Sequence, residues 1–182
     1  MPNASALLVI DMQNALMAIA HRPAETVAAI AGLRARAKAA GAPIVTLQHQ
    51  DDTELPAGTE GWRIVADLEP GPDETVVPKN SADSFLDTGL DATLRKLGVT
   101  EVVVTGFATE MCVDTTARQA LSHRYDLVLV EDGHTTSLRP DGGGPFVPAD
   151  QSIAHHNEIF RHIRFAGRRT RVLRAAEVDF SA

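Results

Sequence analysis

The chain has 182 residues, 44% of them apolar and 23% charged, with 24 acidic against 17 basic side chains and a formal net charge of −7. That acidic balance argues against a nucleic-acid or anionic-membrane surface, which needs clustered Lys and Arg, and a single cysteine excludes an internal disulfide. The length suits one domain, 1–182, with enough mass to bury a real core.

The first residues, MPNASALLVIDMQ, lack a basic leader, and Asp11 interrupts their apolar run. Neither a signal peptide nor a membrane span is therefore expected, and the expected location is cytoplasmic. ALLVID (6–11) reads as a buried strand. An Ala-rich helix follows over 24–41, opened by Pro23 and closed by Gly41. Strands are expected at 42–48 and 75–79, a helix at 91–98, a fourth strand at 101–106, a helix at 112–124 and a fifth strand at 126–132. A helix over 150–165 and a strand at 170–174 complete the chain; Arg168, Arg169, Arg171 and Arg174 alternate with apolar residues on the solvent side of that strand. Strands alternating with helices imply a parallel sheet covered on both faces, a three-layer α/β/α domain with right-handed crossovers. Two connections, 49–74 and 133–149, are long enough to suggest function. The first holds Trp62, the lone tryptophan, readable equally as pocket wall or core anchor.

Ligands of such sheets bind beyond the carboxyl ends of the strands, near the switch point in strand order. Asp11 ends the first strand and Lys79 the third, while the fourth runs through Gly106 toward Cys112. With Thr109 as N-cap, Cys112 falls in the first turn of a helix, where unpaired N–H groups favour a thiolate. Each residue also has an ordinary structural reading: a buried small side chain, a turn cap, a solvated lysine. An acid, a base and a thiol at one sheet edge together describe activated nucleophilic catalysis.

LLVIDMQ, VVPKNSADSFLDTGLDATLRKLGV and EVVVTGFATEMCVDTTARQAL, in that order, resemble the isochorismatase-like cysteine hydrolases, and the similarity extends through IAHHNEIF at 153–160. The resemblance implies a Rossmann-like, six-stranded parallel sheet of order 3-2-1-4-5-6 and a triad of Asp11, Lys79 and Cys112. It also implies a cis peptide before Ala108, with the Ala108 and Cys112 N–H groups forming an oxyanion hole. The implied activity is hydrolysis of a small molecule's C–N bond, in an amide, lactam or ureide, through a thioester acyl-enzyme. The DGHTT and HHN segments resemble amide hydrolases of the family, including the streptothricin-type lactam hydrolases. Gln13, His49, Trp62, Phe85, Phe107 and Glu110 are the expected substrate contacts, Glu110 favouring a cationic substrate or simply complementing the helix dipole. Dimers or tetramers are expected, with 133–149 and 150–165 as candidate contact surfaces. No cofactor is expected.

Nicotinamidases of the same family build a metal site from an Asp-x-His pair after the second strand. Here LQHQDD places His49 and Asp51 in the reverse order, so no metal is expected. His155, His156 and His162 lack the i, i+4 pair of strong helical metal sites and suit interface or capping roles. His134, on the catalytic edge, is a candidate contact for substrate or a partner subunit. Three alternatives bear weighing. A vinyl-ether hydrolase of the family commonly has Gly in place of Cys112. A nucleotide-binding module would need a G-x-G-x-x-G turn, which is missing. A catalytically silent oligomeric binding protein would show a slow, ordinary thiol.

Overall fold

In a computed structural model of the chain, residues 4–139 and 147–181 are described. Six strands form one all-parallel sheet: β1 (Ser5–Ile10), β2 (Ile44–His49), β3 (Thr75–Lys79), β4 (Glu101–Phe107), β5 (Asp126–Thr135) and β6 (Thr170–Leu173), in the order β3-β2-β1-β4-β5-β6. Alternate residues of the central strands feed two cores, one on each face of the sheet. Leu7, Val9, Val103 and Val128 meet Ile30, Leu33 and Ala37 of α2 (Pro23–Ala39). Leu8, Ile10, Val102, Val104 and Leu127 meet Leu90 and Leu94 of α3 (Leu90–Lys96), Ala117, Ala120 and Leu121 of α4 (Asp114–Ser122), and Phe160 of α5 (Ala149–His162). A one-turn helix, α1 (Asn14–Met17), follows β1. No helix among the described residues is long and apolar enough to cross a membrane.

The strand order reverses between β1 and β4, where the two backbones come closest. Gly106 sits there at φ +124°, and a Cβ at that position would lie 2.1 Å from the Ile10 carbonyl oxygen. Only glycine fits, so this residue lets β4 close onto β1 at the switch point.

The expected end of the fifth strand needs correction. The fifth strand does not stop at 132 but continues to Thr135, because a register shift beside Val104 and Gly106 brings His134 opposite Gly106. An irregular pairing of this kind leaves no periodic trace in sequence. Residues 140–146 of the expected 133–149 loop lie outside the described residues. Within the segment 49–74, residues 61–65 run antiparallel to 12–15, with Asn14 N–H bonded to Arg63 O, Ala15 N–H to Gly61 O and Val65 N–H to Met12 O.

Candidate active site

β1, β3 and β4 deliver Asp11, Lys79 and Cys112 to one point at the carboxyl edge of the sheet. Asp11 leaves β1 at φ +52°, a left-handed conformation that Asp tolerates better than most residues. Its N–H remains bonded to Leu47 O of β2 at 2.9 Å. The Lys79 ammonium donates to Asp11 Oδ2 at 2.7 Å, to the Ser81 carbonyl at 2.9 Å and to Cys112 Sγ at 3.4 Å, and lies 3.4 Å from His49 Nδ1. The acid and the lysine are fully buried, whereas Cys112 is only partly so. The second Asp11 oxygen, Oδ1, is buried with no hydrogen-bond partner among the described residues.

Cys112 does not sit in the first turn of an ordinary helix capped by Thr109. The Phe107–Ala108 peptide is cis, and residues Thr109–Val113 form a single π-helical turn that precedes α4, with the Ala108 carbonyl accepting from the Met111 and Val113 N–H groups. Such wider turns recur at functional sites. The Thr109 hydroxyl faces the His134 imidazole instead of capping.

The electrostatics also differ from the expected resting thiolate. Burial, and then the charge on Asp11, push the Cys112 thiol up to about 12, against the opposing pull of Lys79. Burial likewise raises the Asp11 carboxyl above its ordinary value, because the loss of solvation exceeds the attraction of Lys79. The resting centre is therefore a thiol beside the Lys79–Asp11 pair, with the Cys112 thiol and the Asp11 carboxyl acting directly on each other.

The expected substrate contacts separate into two groups. His49 stands at the rim, its side chain 23% exposed, with Nε2 3.6 Å from Asp51 Oδ2. Gln13 is fully buried and works as a clamp: it donates to the carbonyls of His49 (2.9 Å) and Trp62 (2.8 Å) and accepts from the His49 N–H (2.9 Å). It is not free to meet substrate, and it ties the ends of β1 and β2 together. Phe85 belongs to the core, stacked on His123 at 4.6 Å and near Tyr125, which lies at the opposite edge of the sheet. Phe107 is buried in the α2-side core, across the sheet from the cluster that Cys112 packs on. Trp62 lines a cleft of about 610 Å³ with Asn14, Gln48, Arg63, Ile64 and Val76, a space that none of the three central residues borders. Glu110 is engaged by the Thr136 hydroxyl (2.7 Å), the Ser152 hydroxyl (3.0 Å) and Arg139. Its burial is outweighed by these partners, which hold the carboxyl below its ordinary value. The partners come from the segment after β5 and from the start of α5, so Glu110 fastens the π turn instead of awaiting a cation.

Among the described residues, no group of three or more His, Cys, Asp or Glu is arranged to hold a metal ion. Asp51 accepts from the backbone N–H groups of Thr53, Leu55 and Glu54, which hold it down to about 2 and make it a turn cap. His156 and His162 each place Nδ1 against the carbonyl four residues earlier on α5. His134 is 2% exposed and borders a cleft of about 270 Å³ with His21, Asp132 and Asn157, so the surface it reaches is the floor of that cleft and not the catalytic edge. The clamp role of Gln13 and the Ser81 carbonyl went unread in the sequence. A backbone acceptor carries no residue signature, and nothing in the sequence around Gln13 shows that both ends of its amide are taken by backbone groups.

A parallel sheet of this order, with an acid, a lysine and a cysteine gathered at its switch point, defines a Rossmann-like α/β domain of the cysteine-hydrolase type. The Isochorismatase domain family matches residues 5–142, and the chain belongs to the isochorismatase family of hydrolases. A streptothricin hydrolase of Streptomyces noursei is 44% identical over 137 residues, 72% of this chain and 49% of that protein, so the chain spans about half the length of that relative. Ureidoacrylate amidohydrolase RutB of Variovorax paradoxus is 31% identical over 169 residues, covering 70% of this chain and 67% of that one. Among solved structures, an isochorismatase of Pseudomonas putida KT2440 superposes with a TM-score of 0.85 at 26% identity, covering 98% of this chain and 93% of that chain.

Proposed function

We propose that the protein hydrolyses a C–N bond of a small amide, lactam or ureide through a thioester on Cys112, with Asp11 as proton carrier and Lys79 as electrostatic anchor. The observation that carries this reading is the unpartnered Asp11 Oδ1 in a site where Lys79 bridges Asp11 and Cys112. Two relatives whose names are those of C–N hydrolases, streptothricin hydrolase and ureidoacrylate amidohydrolase, support it.

The chemistry follows from the resting state. A thiol held near 12 is a poor nucleophile until its proton leaves. The raised carboxyl of Asp11 is a correspondingly better base than a free one. As Sγ attacks the carbonyl carbon, its proton passes to Asp11, and the sulfur's growing charge is met by Lys79. The carbonyl oxygen becomes an oxyanion, held by the N–H groups of Ala108 and Cys112. Protonated Asp11 then donates to the departing nitrogen, the C–N bond breaks, and the acyl group remains on sulfur. Water enters, gives its proton to Asp11 and attacks the thioester; the acid departs, and Asp11 returns the proton to Sγ. Charge and protons balance over the cycle, and no external redox partner is needed.

The test is a panel of amides, lactams and ureides offered to the wild type and to Cys112→Ala. The expected outcome is turnover by the wild type alone, with a mass increase on Cys112 equal to the acyl group after rapid quenching. Equal turnover by Cys112→Ala would overturn the reading. Cleavage restricted to a vinyl ether, with no acyl adduct, would replace it with the ether-hydrolase alternative.

A further inference from the structure

The buried histidine on β5 has no part in the mechanism above, yet its two ring nitrogens join the nucleophile turn to α5. His134 Nδ1 lies 2.9 Å from the Thr109 hydroxyl, and Nε2 lies 2.9 Å from Asn157 Oδ1 on α5. The direction of every bond in this chain can be worked out. Asn157 Nδ2 donates to the Glu131 carbonyl at 3.3 Å, which fixes the amide with Oδ1 toward the ring. An amide oxygen only accepts, so Nε2 carries the proton. Nδ1 is then a bare lone pair, and the Thr109 hydroxyl donates to it. Desolvation lowers the imidazole to about 4, with His156 acting in the same direction and Asn157, Asp132 and Glu110 opposing, so the ring is neutral at neutral pH.

Thr109 is the residue after Ala108 and three before Cys112. Its neighbour Glu110 is fastened to Thr136, Arg139 and Ser152. Two consecutive residues of one π turn are thus pinned by side chains to the end of β5 and to α5, and the pinned stretch lies between the groups assigned to oxyanion and nucleophile. Inside the turn the Ala108 carbonyl accepts from the Met111 and Val113 N–H groups, and catalytic geometry tolerates little displacement.

We propose that His134 is a positioning residue: as a neutral Nε2–H tautomer it accepts from Thr109 and thereby sets the turn that aims the Ala108 N–H and the Cys112 sulfur at one reacting carbon. This rests on the thioester reading for the role of Cys112, but not on which bond the enzyme cleaves in nature.

The experiment uses the intact protein and p-nitrophenyl acetate, an activated ester that acylates a reactive thiol whatever the natural substrate. The sulfur displaces p-nitrophenolate, the thiol proton leaves by way of Asp11, and the acetyl group stays on Cys112. Thr109→Val keeps the shape and removes the donor; Thr109→Ser keeps the donor. The valine variant is expected to lose about tenfold in the acylation rate constant with little change in its concentration dependence, and the serine variant to return to within about threefold of wild type. Long-range proton–nitrogen NMR of the unmodified protein, assigned with His134→Asn, is expected to show His134 protonated on Nε2 alone. A valine variant that acylates within about twofold of wild type, a serine variant as slow as valine, or a His134 protonated on Nδ1 would each overturn the inference. The tautomer is read without any Thr109 variant, so misfolding of the valine protein leaves the test standing. A wild type acylated by the ester yet inert toward every amide would sink the C–N reading and leave this one intact.

Discussion

Two carboxylates lie at opposite ends of the central strands, and both are buried: Glu101 opens β4 at 3% exposure and Asp11 follows β1 at 1%. Glu101 is completely provided for. Its oxygens accept from the Ser5 hydroxyl at 2.9 Å and from Arg171 at 2.9 Å, with Arg169 at 3.7 Å. Asp11 has Lys79 on Oδ2 and the Cys112 thiol as its other neighbour, with Oδ1 making no hydrogen bond of its own among the described residues. Equal burial thus produces two different objects. Where every lone pair is met, the carboxylate joins strands together; where one is left bare in a dry site, it is a place for a proton to go.

The strongest way to break that contrast is to remove each acid's charge and compare rates. Asp11→Asn is expected to lower kcat/KM on a confirmed substrate by roughly 10³-fold or more, while Glu101→Gln stays within about twofold. Steady-state kinetics at neutral pH decides it; comparable losses in both would erase the distinction. Glu101→Gln is expected instead to lower unfolding free energy by about 1–2 kcal/mol, read from urea titration, as one buried acceptor of the Ser5 and Arg171 bonds becomes a donor.

Removing the partner instead of the acid sharpens the point. Lys79→Met leaves Asp11 buried without its counter-charge, an expected loss of about 3 kcal/mol at neutral pH. The loss should shrink as pH falls, because a protonated Asp11 has no charge to compensate. Urea midpoints at pH 7 and pH 5 test this, and a penalty independent of pH would show that the lysine matters for packing alone.

A smaller effect belongs to the thiol. The folded protein holds the Cys112 proton up to about 12, whereas the unfolded chain releases it near the ordinary value of 9.0. The folded state binds the proton more tightly, so this stabilisation is complete below 9.0 and is lost as pH rises toward 12. Relative to Cys112→Ala, the wild type should lose about 1 kcal/mol between pH 8 and pH 10. Equal slopes would mean a thiol that ionises as in water. The smallest expected change is Phe85→Leu, about 1 kcal/mol in stability with kcat unaltered, since the ring stacks in the core and not at the site.

The parts legible in sequence share one property: they are carried by short, contiguous patterns. Apolar runs marked five of the strands nearly to the residue, and Asp11 and Lys79 each stood where such a run ended, with Cys112 in the turn beyond the fourth. What escaped was decided between distant segments. The extension of β5 through His134 depends on a register shift against β4, and the tethering of Thr109 and Glu110 depends on partners 25 to 42 residues away. Gln13 and Phe85 read as substrate contacts because each stands close in sequence to Asp11 or Lys79, and only the packing shows that one clamps two carbonyls and the other faces the core. The expected thiolate failed on a quantity that sequence spacing does not carry, the cost of burying charge.

Lys79 belongs to an edge strand, and its target on β1 lies beyond β2, two inter-strand spacings or roughly 10 Å across the sheet. The site therefore measures the completeness of half the sheet. A chain in which β1 and β4 have paired but β3 has not docked holds the cysteine and the acid without the lysine, and Asp11 in that intermediate has every reason to stay protonated. Recovery of Cys112 acylation during refolding should accordingly lag behind recovery of far-ultraviolet ellipticity, making this thiol a clock for the arrival of the outermost strand.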